Sequence, residues 1–124
     1  MAGAYLAKPV IGNVGMPGAP IASFALVVVP SQHKVSGSVH VTQAVEGGDY
    51  TGTVKGTIYS TGFGEYTQFA LKGTITPSSG TMPIEIPFEA HMALDGSWKG
   101  TGGFSYLNVH VEGVPVTESA AVTA

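Results

Sequence analysis

From Val35 to Leu94 the chain alternates large apolar residues with Thr, Ser, Lys, Glu or His almost without interruption. A period of two puts successive side chains on opposite faces, so this stretch predicts β-strands with one buried face. Val35, Gly37, Val39 and Val41 point inward; Ser36, Ser38, His40 and Thr42 point outward. The same division runs through Tyr50 to Tyr59, Glu65 to Thr76 and Met82 to Leu94, where Ile84, Ile86, Phe88, Ala90, Met92 and Leu94 are predicted inward. Polar reversals separate the four strands at Glu46-Gly47-Gly48-Asp49, Thr61-Gly62-Phe63-Gly64 and Pro77-Ser78-Ser79-Gly80.

The reversals suggest a register. Pairing Val45 with Tyr50 sets Val39 against Gly56. Pairing Ser60 with Glu65 sets Gly56 against Phe69. Pairing Thr76 with Thr81 sets Phe69 against Phe88 and Lys72 against Glu85. Inward residues then meet inward residues in all three hairpins, and a slip of one residue would bury Thr and Lys.

The flanks are less regular. Residues 1–20 form a Gly- and Pro-rich arm of the single domain spanning 1–124. Tyr5 to Ile11 suits a short edge strand, and Asn13 to Pro20 suits a loop. Ile21 to Val29 carries Phe24, Leu26 and Val28 on one face and Ala25, Val27 and Val29 on the other, so both faces call for cover. Pro87 cannot donate to a ladder and predicts an edge or a bend. Asp95-Gly96 predicts a reversal. The chain then runs extended to Val111, with Gly102-Gly103 marking a bulge and Leu107, Val109 and Val111 sharing a face. Glu112-Gly113 predicts a turn into a last strand, Val114 to Val122. The expected fold is an antiparallel all-β meander of about eight strands, either a β-sandwich or a flattened barrel.

Lys55-Gly56-Thr57, Lys72-Gly73-Thr74 and Lys99-Gly100-Thr101 repeat one tripeptide inside strands. Glycine weakens a strand interior, and the expected reason for it is room for a large ring across the bare backbone.

The chemistry on offer is sparse. Charged residues are 10% of the chain, with 5 basic and 8 acidic residues and a net charge of −3; an average domain has about 25%. Scarce charge together with the two apolar faces of Ile21 to Val29 predicts a homo-oligomer, a dimer or trimer. There is no basic run for nucleic acid and no long apolar stretch for a spanning helix. The N-terminus lacks the pattern of a secretory signal, which predicts a cytoplasmic protein, though export by another route fits as well. No cysteine is present, and there is no nucleophile elbow or phosphate loop. The four histidines show no ligand spacing. The expectation is a non-catalytic protein with no cofactor and no metal.

By the register above, His40, Lys55, Ala70 and Pro87 line up on the outward face, with Gln68 opposite Glu89. A polar patch of His40, Lys55, Gln68, Glu89 and His91 is thus a candidate binding surface for a glycan or a polar peptide. Phe63 and Trp98, beside reversals, are candidate exposed aromatic anchors. The functions in order are a self-assembling or binding protein, a small lectin-like protein, and a small enzyme with a barrel pocket.

Gly12-Asn13-Val14-Gly15-Met16-Pro17-Gly18-Ala19-Pro20, Phe24 to Pro30 and Val35-Ser36-Gly37-Ser38-Val39 resemble a family of short bacterial proteins of unknown function. The resemblance covers most of the chain and carries no assigned active residues. It implies a compact, oligomeric β protein with an accessory or a host- or community-related role.

Overall fold

The computed structural model describes residues 5–13, 19–42, 49–60, 67–77, 84–95, 99–107 and 109–118. Among them lie nine strands: β1 (Tyr5–Ala7), β2 (Pro9–Ile11), β3 (Ile21–Val29), β4 (Lys34–Thr42), β5 (Tyr50–Ser60), β6 (Thr67–Pro77), β7 (Ile86–Leu94), β8 (Gly100–Tyr106) and β9 (Val109–Glu118). Every pairing is antiparallel, and β3 to β8 each pair with the next in sequence. β2 pairs with both β3 and β9, which closes the sheet into an eight-stranded barrel; β1 is a short extra strand on β3. Between the two architectures left open by the sequence, the fold is the barrel and not the sandwich. Closure covers most of the sheet's edges, and β1 keeps one side unpaired among the described residues.

The arm performs that closure. Tyr5 faces Val28 and Ile11 faces Ala22 in one unbroken register, so β1 and β2 form one ribbon interrupted at Lys8. Part of the expected loop, residues 14–18, lies outside the described residues.

The inward assignments hold. Val35, Val39, Val41, Val54, Phe69, Leu71, Ile75, Ile86, Phe88, Ala90, Met92 and Leu94 are all buried. Ile84 is the exception. It precedes β7 and is 51% exposed. Aromatic rings fill the interior: Phe88 stacks with Phe104 at 6.1 Å, Phe104 with Tyr106 at 6.2 Å, and Tyr50 meets Tyr106 at 5.4 Å. Such rings contribute both area and ring–ring attraction to the core.

The registers differ from expectation, each by an even number. Val39 faces Gly52 instead of Gly56, Gly56 faces Leu71 instead of Phe69, and Phe69 faces Met92 instead of Phe88. The connections between these strands are longer than the four residues expected of each, and alternation cannot detect a slip that preserves the face. The three predicted reversals themselves fall largely or wholly outside the described residues.

The strand glycines serve a different purpose from the one expected. A Cβ on Gly56 would lie 1.8 Å from the Ala70 carbonyl oxygen, and one on Gly73 would lie 1.9 Å from that of Thr53. The neighbouring backbone, not a ring, occupies the space. Glycine kinks of this kind let a strongly coiled sheet close on itself.

Two features of the last hairpin correct the sequence reading. β8 ends at Tyr106, which faces Val109, and Leu107 turns at φ 51° and is 63% exposed, so it does not share a face with Val109 and Val111. Glu112-Gly113 does not reverse the chain, because β9 runs through it to Glu118. Phe104 faces Val111 and Gly102 faces Val114, so Glu112 and Gly113 together oppose the single residue Gly103. This is a bulge, with Gly113 at φ 65°, and it returns Val114 and Val116 to the inward face. The expected irregularity at Gly102-Gly103 is the other side of that bulge.

Pro87 faces only Thr74 on β6. β8 ends opposite Phe88, so no β8 acceptor is left without the N–H that proline lacks.

Candidate functional site

With the interior packed, the chemistry lies on the outer wall. Strand pairing sets Ser36, Lys55, Lys72, Glu89, Ser105 and His110 in one row across β4 to β9. The next row carries Ala70, His91, Gly103 and the bulge residue Glu112. All the ionisable members of both rows point outward and are exposed.

The bulge creates the tightest polar contact of the wall. His91 Nε2 donates to Glu112 Oε1 at 2.8 Å, spanning β8 entirely. It does so over Gly103, where a Cβ would stand 3.0 Å from His91 Nε2 and 2.2 Å from the Val111 carbonyl oxygen. His110 Nε2 approaches the same Glu112 oxygen at 3.4 Å. The hydrogen bond from His91 is the main reason the Glu112 carboxyl sits below its usual range; desolvation opposes this, and the His91 and His110 charges add to it. Lys72 Nζ lies 3.7 Å from Glu89 Oε1, where the sequence reading placed Glu85. Lys72, Glu89, His91, Ser105, His110 and Glu112 border an open depression of about 290 Å³. Among the described residues no group of three His, Cys, Asp or Glu side chains is placed to hold a metal ion. In the His91–Glu112–His110 contact, His91 supplies the hydrogen bond and His110 an ion-pair approach to the same oxygen.

The five patch residues do not form one group. Glu89 and His91 are outward neighbours on β7, and Lys55 is one strand beyond Lys72. Gln68 faces Tyr59 and Ala93, and borders a separate depression of about 230 Å³ that it shares with His91. His40 faces Ser23 and Thr51 and approaches Asp49 at 3.9 Å. It lies about 13 Å along the wall from Lys55's row. Phe63 and Trp98 lie outside the described residues. His110 and Glu112 were missed because their meeting with His91 depends on the bulge, although the outward pair His110-Val111-Glu112 was visible as alternation.

An apolar patch adjoins this strip. Leu6 on β1 faces Val27 on β3, and the two are 59% and 41% exposed. Ala25 and Val29 extend the patch along β3, half-buried. The second apolar face of β3, expected to be covered, is open to solvent in the single chain.

No helix among the described residues is long and apolar enough to cross a membrane. A search of curated proteins finds no match. A family model does match, over residues 2–111, nearly the whole chain. The chain belongs to the family described as "Domain of unknown function (DUF1842)".

Proposed function

We propose that the protein is a non-catalytic assembly module whose β1–β3 outer face meets a second copy of the same chain. The observation that carries this is the Leu6–Val27 pair, two large apolar side chains facing each other across a strand junction while exposed at 59% and 41%. Single exposed apolar residues are ordinary, whereas a contiguous patch marks a contact surface. The scarcity of charge, 10% of the chain, lowers the desolvation cost of bringing two such faces together. The ring-filled interior supports a role on the outer wall and not in a barrel pocket.

Size-exclusion chromatography with light scattering tests the reading. The wild type is expected to run as an oligomer at micromolar concentration, and Leu6→Thr with Val27→Thr is expected to shift it toward monomer. Thr keeps strand propensity, so the variant is expected to stay folded. A strictly monomeric wild type overturns the reading.

A second reading, a small carbohydrate-binding protein, draws on the shallow depressions bordered by hydroxyl and charged side chains on β4 to β9. A glycan array with no binder rejects it.

A further inference from the structure

The chain's five cations are all lysines. Two of them, Lys55 and Lys72, face each other directly across β5 and β6. A third, Lys34, is two residues along β4 from Ser36, which faces Lys55. All three are exposed. Like charges directly opposite on a sheet destabilise it, and a chain with so few charges has ample room to avoid the arrangement. Glu89, at 3.7 Å, offsets Lys72 from its far side. No ion pair among the described residues reaches Lys55 or Lys34. Ser36, Thr53 and Thr74 join Lys55 and Lys72 around an open depression of about 410 Å³.

We infer that this wall is a binding site for a tetrahedral oxyanion, the sulfate or phosphate ester of an anionic polysaccharide. An oxyanion placed between the two ammonium groups converts their repulsion into two charge-assisted contacts. The surrounding hydroxyls supply further donors. Lysine ammoniums are rotatable point charges, suited to an ester that arrives in variable orientation. Three cations on a chain of net charge −3 are too few for the multiple phosphate contacts of a duplex, whereas they suit local recognition of ester groups. The site borders the β1–β3 face, with Ser36 facing Val27, and its test reads anion binding directly, so its outcome is distinguishable from that of self-association.

The test is calorimetric titration at low salt with heparin as the sulfated probe, its desulfated form, and inorganic sulfate and phosphate alone, with amide resonances followed in parallel. Heparin is expected to bind and its desulfated form not to. Lys55→Gln and Lys72→Gln are each expected to weaken binding about two- to fivefold, the range of one exposed ion pair, and the double variant more. Lys99→Gln, outside the row, is expected to change nothing. The lysine variants are expected to fold, because both side chains are exposed and lie outside the core. If the inorganic anions shift the amides around Lys55 and Lys72 while heparin does not, the oxyanion site stands with a free anion as its ligand. Heparin binding that survives desulfation or the double variant overturns the inference, as does absence of binding by all the anionic probes.

Discussion

His91 on β7 and Glu112 on β9 form a 2.8 Å hydrogen bond across an intervening strand, over the bare backbone of Gly103. In a flat, regular sheet, side chains two strands apart stand about 10 Å apart at their roots. The contact exists because a bulge places Glu112 and Gly113 opposite one residue and because that residue has no side chain.

The first prediction is the titration of Glu112. Its carboxyl is held below the ordinary value, chiefly by the hydrogen bond from His91. A folded pKa below the unfolded one means that the contact contributes stability above the ordinary glutamate range. That contribution is lost as pH falls through the folded value. Carboxyl-detected NMR is expected to place the Glu112 midpoint below that of the unfolded chain, and His91→Ala is expected to raise it. An unchanged midpoint in His91→Ala would show that the hydrogen bond is not the cause.

The second prediction separates the two glycines of the bulge. Gly103→Ala drives a Cβ to 2.2 Å from the Val111 carbonyl oxygen, and denaturant unfolding is expected to show a loss of about 1–3 kcal/mol, typical of overpacking. A Cβ on Gly113 meets nothing within 4 Å, so Gly113→Ala suffers only from its left-handed φ of 65°, about 1–2 kcal/mol. Gly113→Asn is expected to lose less than Gly113→Ala, because Asn tolerates that conformation, while Gly103→Asn is expected to lose as much as Gly103→Ala or more.

How much of this was legible follows from what alternation encodes. It assigns a face and nothing finer. Phe69 and Phe88 were correctly placed inside, and Lys55 and Lys72 outside, because each obeys the period of two. Which residue meets which depends on reversal length, and strands repeating Lys-Gly-Thr offer nearly equivalent partners at every second position. Lys72 therefore met Glu89 in place of Glu85, and Lys55 met Lys72, a pairing that charge complementarity argues against. The wall's polar strip inherits those registers, so its members were nameable but its grouping was not. Leu107 was misassigned because an apolar residue in phase with Val109 and Val111 carries no turn signal. Barrel closure was also hidden, since it rests on the three residues of β2 reaching β9.

The third prediction concerns closure. Gly56→Ala places a Cβ 1.8 Å from the Ala70 carbonyl oxygen and 2.8 Å from its carbon. Both are backbone atoms, which move only if β5 and β6 part. The expected loss is about 3 kcal/mol or more, at the severe end for a single substitution. Thr57→Ala, one residue away and exposed, is expected to change stability by less than about 0.5 kcal/mol. Comparing the two by denaturant unfolding distinguishes a backbone clash from a general sensitivity of β5.

The fourth prediction lies inside the barrel. The Tyr106 hydroxyl is buried and has no hydrogen-bond partner among the described residues. Burial, with a smaller contribution from Tyr50, pushes its pKa from 10.0 to about 12. A folded pKa above the unfolded one means that stability from this group is fully present below pH 10.0 and is lost as pH rises toward about 12. An ultraviolet titration of the folded protein is expected to show one phenol ionising late, and base-induced unfolding is expected within that window. Tyr106→Phe removes both the unpaired hydroxyl and the ionisation while keeping the ring that stacks on Phe104 at 6.2 Å. It is expected to raise stability at neutral pH by about 1 kcal/mol, the lower end of the cost of an unsatisfied buried group, and to move the alkaline unfolding midpoint upward. If Tyr106→Phe instead destabilises the protein, the hydroxyl has a partner in solution, and the late phenol would belong to that contact.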